Sequence, residues 1–265
     1  MNDSKNKIKE KIINNYTQVA EGENTGCCSS ECCSGDSDDL DIIKVGEKLG
    51  YSQKDLTADF MEANQGLGCG NPKAIANLKQ GQTVLDLGCG AGFDVFLAAQ
   101  EVGAQGKVIG VDMTPEMINK ARKNAQENDF TNVDFRLGEI EDLPAADNSI
   151  DVVISNCVIN LSVDKEAVFN EICRVLKPGG RLAISDILKK GEFPEKVKNN
   201  LENYSSCIAG ALAPEKIRNI LEKTALKDIK IAKKENSEEI VADWSSEINT
   251  ESFIFSAYIT AQNVQ

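Results

Sequence analysis

The stretch from Gly81 to Ile187 constrains the fold most, because short β-branched runs alternate there with amphipathic ones. "TVLDLG" (83–88), "KVIGVDM" (107–113), "NVDFRL" (132–137), "IDVVISNC" (150–157) and "RLAISDI" (181–187) read as strands. Between them, "FDVFLAAQEVG" (93–103), "TPEMINKARKNAQEN" (114–128) and "DKEAVFNEICRVL" (164–176) read as helices with an apolar face. The second opens on a Thr cap with a first-turn proline, and the third stops at "KPGG". Parallel strands cannot be joined by a tight hairpin, so the intervening helices must cross over the sheet. The alternation therefore predicts a doubly wound, mainly parallel sheet with helices on both faces. Such sheets bind ligands beyond the carboxyl ends of their strands, where the strand order reverses.

The residues at those strand ends carry the chemistry. "LDLGCGAGFD" (85–94) follows the first strand and opens a helix, placing Asp86, Gly88, Gly90 and Gly92 at alternate positions. Glycines let the backbone turn tightly and approach a ligand closely. Asp112 ends the second strand, followed by Met113, and a carboxylate there can accept hydrogen bonds from ribose hydroxyls. A dinucleotide fingerprint would space its glycines G-x-G-x-x-G and seat pyrophosphate on the helix start. Here the spacing is G-x-G-x-G, and Asp86 would repel a pyrophosphate but suit an ammonium or sulfonium. A cofactor with a ribose, a cationic amino-acid tail and no phosphate fits this loop, which describes S-adenosylmethionine.

"DLGCGAG", "VDM", "LGEIEDLP" and "VLKPGGRLAISD" together resemble the class I methyltransferase pattern, a Rossmann-like fold. That resemblance implies that Glu139 and Ile140 meet the adenine edge and that Asn156 lines the cofactor floor. Glu141 and Asp142 read as solvated first-turn acids.

Nine cysteines and no histidine sharpen the reading. Free cysteine ordinarily behaves as a small buried hydrophobe. Cys173, mid-helix in "NEICRVL", and Cys89, inside the glycine loop, are expected to be packing residues. Cys157 in "SNCVINL" ends the fourth strand beside the cofactor pocket, and Cys69 in "NQGLGCGNPKA" is flanked by glycines that predict a mobile backbone and an accessible sulfur. Cys207, in "NYSSCIAGAL", lies among small residues that can approach the same mouth. The remaining four, Cys27, Cys28, Cys32 and Cys33, fall in "CCSSECCSGDSDD" (27–39), whose Ser, Gly and Asp content predicts a mobile loop.

"GLGCGNP" and "SNCVINLS", set in the longer runs around them from about residue 60 to 210, closely resemble the arsenite S-adenosylmethionine methyltransferases. The resemblance implies that Cys69, Cys157 and Cys207 are arsenic-binding thiols and that an N-terminal cysteine assists, Cys32 or Cys33 being the expected one. It implies arsenite and methylated arsenic(III) as substrates, a role in detoxification, and an external thiol reductant such as glutathione or thioredoxin. Softness agrees: trivalent arsenic prefers thiolates to imidazole or carboxylate, and needs no histidine. Zinc would ask for four closely spaced ligands in pairs, so a zinc knuckle of the doublets stays open, as does an inert tail.

Three regions are expected: an N-terminal extension with a helix and the Cys-rich loop (1–60), a cofactor-binding core (61–190), and a C-terminal α+β elaboration (191–265) that completes the sheet and the substrate site. In the last, "IKIAKKE" and "FIFSAYITAQ" read as closing strands with an antiparallel edge, and Trp244 as a packing residue. A net charge of -13 argues against nucleic acid and anionic membranes as partners. The polar N-terminus lacks a signal peptide's apolar core, and no run is long enough to span a bilayer, so a cytoplasmic location is expected. Two rivals remain: a carbon or oxygen methyltransferase of small metabolites with incidental cysteines, and a non-catalytic thiol protein that sequesters metals.

Overall fold

The computed structural model describes residues 2–22, 39–193, 208–244 and 250–265. A seven-stranded sheet runs through it in the order β3-β2-β1-β4-β5-β7-β6. β1 (Thr83–Leu87), β2 (Lys107–Asp112), β3 (Val133–Leu137), β4 (Ile150–Asn156) and β5 (Leu176–Lys189) are mutually parallel. β6 (Leu226–Lys233) and β7 (Ile254–Asn263) close the sheet antiparallel, as the two C-terminal runs predict. The order reverses between β1 and β4, and the carboxyl ends of these two strands face the site.

The strands are apolar nearly throughout because both faces are covered; β1 and β4 bury Val84, Leu85, Leu87, Val152, Val153 and Ile154 almost completely. One face packs against the helices Phe93–Val102 and Pro115–Glu127, where Phe60, Phe96, Phe130 and Phe135 interlock edge-to-face and stacked. The other packs against the helices Lys165–Val175 and Pro214–Glu222 through residues such as Phe169, Ile172, Ile217 and Leu221. Cys173 sits in this second core, as its helix position predicts.

Two local features differ from the sequence reading. "KPGG" does not merely end a helix: β5 begins at Leu176, paired with Ile150, and a register shift follows before Arg181 meets Val152. The glycines thus sit in a bulge that keeps the strand in the sheet. Thr114 does precede the helix Pro115–Glu127, but its side chain caps nothing; Asp112 takes the Thr114 amide at 2.8 Å instead.

The N-terminal helix, Asn2–Glu21, buries Ile12 and Val19 and joins Pro115–Glu127 through Thr17, whose hydroxyl donates to Glu116 at 2.9 Å. It reaches the cavity mouth, where Lys9, Ile12 and Tyr16 form part of the wall. Among the described residues no helix is long and apolar enough to cross a membrane.

Candidate functional site

Beyond the carboxyl ends of β1, β2 and β4 lies a cavity whose wall includes Asp86, Gly88, Gly90, Asp94, Asp112, Met113, Ile140, Asn156, Cys157 and Trp244. The glycine loop shapes its floor. Gly90 adopts φ +52° and turns its amide onto Asp112 Oδ2 at 3.0 Å, while Asp112 Oδ1 accepts from the Thr114 amide. Asp112 is therefore pinned by backbone donors, and two of its acceptor positions are already used by the protein.

Asp86 is 2 % exposed and Asp94 9 % exposed. Burial, then the charges of Asp94 and Asp112, push the Asp86 carboxyl well above its usual range. Burial raises Asp94 to about 6, against the pull of hydrogen bonds from Tyr51 and Asn156. Asp112 is raised as well, chiefly by burial. None of the three makes an ion pair among the described residues; Lys73 is held by Asp55 at 2.8 Å and Lys9 by Glu139 at 2.6 Å. Three buried carboxyl groups with no direct ion-pair partner among the described residues, and only the charge of Lys73 acting on Asp94 from beyond contact, form a site that favours a cation.

Asn156 joins this cavity to a buried cluster of sulfur and carboxylate groups. Its Nδ2 donates to the Gly70 carbonyl at 2.7 Å, to Tyr51 Oη at 3.0 Å and to Asp94 Oδ2 at 3.2 Å, and its Oδ1 accepts from the Cys69 amide at 3.0 Å. Tyr51 in turn donates to Asp94 Oδ1 at 2.7 Å. Gly68, at φ +113°, lets the chain pass so close that a Cβ there would fall 2.7 Å from Asn156 Nδ2.

That cluster holds two sulfurs. One ligand atom from each of Cys69, Cys157 and Asp186 lies within 4.8 Å of the other two, and all three residues are buried. Cys157 follows β4 directly, at φ +60°, a backbone state that costs a non-glycine residue about 1–3 kcal/mol. Its amide donates to the Ser185 carbonyl at 2.8 Å. Cys69 is 0 % exposed; its Sγ is 3.8 Å from Ser185 Oγ, and its carbonyl accepts from Ser256 Oγ at 2.6 Å. Asp186 is the third member of the cluster, with Oδ1 accepting from Asn160 Nδ2 at 2.9 Å and from the Ile187 amide at 2.7 Å, while buried Oδ2 has no hydrogen-bond partner among the described residues. Burial raises this carboxyl to about 7, against the Ile187 amide, the charge of Lys165 and the backbone amides of Asn160 and Ile159.

A model of the methyltransferase domain family matches residues 78–225. An arsenite methyltransferase of Halobacterium salinarum is 48% identical over 237 residues, which is 89% of this chain and 58% of that protein. The Homo sapiens arsenite methyltransferase is 41% identical over 138 residues, 49% of this chain and 37% of its own. The crystal structure of an arsenic(III) S-adenosylmethionine methyltransferase from Chlamydomonas reinhardtii matches with a TM-score of 0.57 at 31% identity, covering 84% of this chain and 73% of that one. The chain belongs to the arsenite methyltransferase family. It spans little more than half, or less, of the two curated relatives' lengths. A Haemonchus contortus phosphoethanolamine N-methyltransferase shares the fold, with a TM-score of 0.64 at 21% identity, covering 86% of this chain and 57% of that one.

Against this family frame, Asp86, Gly88, Gly90, Asp112, Met113, Ile140, Asn156 and Cys157 all line the cavity. Gly92, at the start of the helix Phe93–Val102, supports the loop from behind, against Phe96 and Phe135. Glu139 departs from expectation: it is exposed, bonds Lys9 and lies outside the wall, whereas Glu141, read as solvated, lines it and accepts from Ser162 Oγ at 2.7 Å. Cys69 requires a larger correction. Its glycines give close approach to Asn156 rather than mobility, and the sulfur is buried rather than accessible. Cys89 is the small filler it was read to be; its Sγ packs where a Cβ on Gly110 would fall, and burial with Asp112 and Asp86 raises its thiol well above the ordinary range. Trp244 packs on the core and also lines the cavity. Cys207, Cys27, Cys28, Cys32 and Cys33 lie outside the described residues.

Sequence reasoning missed Tyr51, Asp94 and Asp186 as site residues. Asp94 and Asp186 had a signal, since both sit at the strand or loop ends where ligands gather. Tyr51 had none, because only long-range packing carries it to Asp94.

Proposed function

We propose that this chain transfers the methyl group of S-adenosylmethionine to trivalent arsenic, taking arsenite and methylated arsenic(III) as substrates in arsenic detoxification. The observation that carries the reading is the pair of buried sulfurs, Cys69 and Cys157, set beside a cavity lined by three buried carboxyl groups without an ion-pair partner among the described residues. Neither half suffices alone: a cation-seeking nucleoside pocket serves many methyl acceptors, and a buried thiol pair is often only packing.

The carboxylate ring fits a cofactor with a positive sulfur and a positive amino group. Asp86 and Asp94 would hold the cationic groups, Asp112 the ribose hydroxyls, and Ile140 with Met113 the adenine. When bound, S-adenosylmethionine supplies a methyl group made electrophilic by its sulfonium.

Cys69 and Cys157, with Cys207 as the family resemblance implies, exchange with the hydroxyls of arsenous acid. Each exchange forms an As–S bond and breaks an As–O bond, and the thiol proton leaves with the hydroxide as water. Arsenic(III) keeps a lone pair opposite its sulfur ligands, so the thiols aim a nucleophile without any general base. Asn156 fixes the Cys69 backbone and faces the cofactor cavity, which ties the thiols to the cavity at one spacing. Alignment of this kind supplies on the order of 7–11 kcal/mol of a barrier. Methylation leaves arsenic pentavalent. Two thiols return it to the trivalent state by giving up two electrons and forming a disulfide, which glutathione or thioredoxin then reduces. The doublets Cys27, Cys28, Cys32 and Cys33 serve in this reading as a thiol arm, Cys32 or Cys33 taking part in the disulfide step.

The deciding experiment offers labelled S-adenosylmethionine and arsenite to the purified chain, with and without glutathione or thioredoxin. Labelled methylarsenicals that require the reductant support the reading. Label on a carbon or oxygen acceptor instead, or none, retires it.

A further inference from the structure

Asp186 lies beside the two thiols, and we infer that its carboxylate holds the last hydroxyl of a partly exchanged arsenous acid, making it a specificity-determining residue; the inference rests on the function proposed above. A carboxylate oxygen lies within 4.8 Å of both the Cys69 and Cys157 sulfurs. The side chain is 2 % exposed, and its Oδ1 is fixed by Asn160 Nδ2 and the Ile187 amide. That leaves Oδ2 buried without a partner, a state native proteins avoid unless something arrives to satisfy it. Fixing one oxygen also fixes the direction of the other, on a carboxylate that already lies beside both sulfurs.

The oxygen count of the substrate supplies the selectivity. Arsenous acid carries three hydroxyls. Exchange onto Cys69 and Cys157 releases two waters and leaves one As–OH, small enough to sit against Asp186. Methylarsonous acid carries only two hydroxyls, so the same two exchanges leave none. Asp186 therefore stabilises the bound inorganic form and has nothing to grip on the methylated one. When a third thiol, for instance from the reductant, displaces that hydroxyl, an As–S bond replaces the remaining As–O bond and the thiol proton leaves with the hydroxide as water. Oxidation state does not change, and no co-reactant beyond that thiol is needed.

The test compares kcat/KM for arsenite and for methylarsonous acid at saturating S-adenosylmethionine with excess thiol reductant. Asp186→Asn keeps an oxygen for Asn160 and Ile187 and replaces the orphan oxygen with an amide nitrogen. The expected result is a fall of about tenfold or more in the arsenite-to-methylarsonous ratio, as for a lost charge-assisted hydrogen bond. Asp186→Ala lowers the ratio at least as far, and if it fails to fold the asparagine variant decides alone. A ratio equal to the native one in folded Asp186→Asn, through no loss or through equal loss on both substrates, overturns the inference. A native chain that methylates neither arsenical retires the underlying function, and the inference falls with it; the two failures are told apart before any variant is made.

Discussion

On the cofactor side of the cavity the working groups come from one short run, Asp86 to Asp94, with Asp112 added from the next strand. On the thiol side Cys69, Cys157 and Asp186 arrive from three separate segments and meet within 4.8 Å. The first side is made by backbone turns around three buried carboxyl groups whose ionisation burial opposes; the second is made by side-chain burial around sulfur. Asn156 belongs to both, touching Asp94 and the Cys69 amide with one side chain. The difference teaches where damage should register: in cofactor affinity on one side, in arsenic turnover on the other, and in both only at the junction.

The comparison breaks most visibly at Cys157. Cys157→Ser should abolish methylation of arsenite and methylarsonous acid alike, a loss of about a hundredfold or more since alignment itself is lost. Cys173→Ser, in the second core, should cost stability at most. Activity retained by folded Cys157→Ser, together with activity lost in folded Cys173→Ser, would show that site and core have been confused.

On the other side, Asp112→Ala should weaken S-adenosylmethionine binding about ten- to hundredfold, equivalent to the 1.5–3 kcal/mol of a hydrogen bond to a charged group. Arsenite binding should stay near native. Isothermal calorimetry with each ligand measures the split, and an unchanged cofactor affinity removes Asp112 from the cofactor side.

A third test uses proton linkage. Asp94 is raised from 3.8 to about 6 in the folded chain, so between those values the native state holds a proton that the unfolded state has lost. Stability contributed by this group is therefore present at low pH and falls as pH rises to about 6, by on the order of 3 kcal/mol. A cationic ligand relieves the penalty only once the carboxylate is ionised. The rise in Tm caused by S-adenosylmethionine should accordingly be larger at pH 7.5 than at pH 5. Thermal shift at the two values checks this, and equal or reversed shifts argue against a cation-seeking ring.

The smallest effect is expected from the doublets. Changing Cys27, Cys28, Cys32 and Cys33 together to serine should slow arsenite turnover by a few-fold, more than that of methylarsonous acid, and leave Tm nearly unaltered. A structural zinc site would behave differently, because removing its ligands unfolds what it holds. Stoichiometric zinc in the purified chain, or equal rates of the variant on both substrates, takes the arm out of the mechanism.

The alternation of β-branched and amphipathic runs was enough to determine the parallel sheet, its helices and the two closing strands, because periodicity reports which faces are buried and topology leaves few ways to bury them. The glycine loop, Asp86 and Asp112 were legible for a related reason: their geometry is local, set within one turn between a strand and a helix. Cys157 was legible from its place at a strand end. What the residues around Cys69 could not disclose is that their glycines serve contact with Asn156 instead of motion, since a glycine's freedom reads the same from sequence whether or not packing removes it. Nor could they disclose that Tyr51 and the helix Asn2–Glu21 reach the cavity, or that Glu141 rather than Glu139 faces it. The orphaned oxygen of Asp186 is the clearest case: an aspartate late in the run 181–187 is plain in the sequence, but which of its oxygens is satisfied depends on Asn160 Nδ2 and the Ile187 amide, and its place beside two sulfurs depends on segments brought in from elsewhere. Local backbone preference decided the frame; burial and long-range hydrogen bonding, which act only once the chain is closed, decided the chemistry inside it.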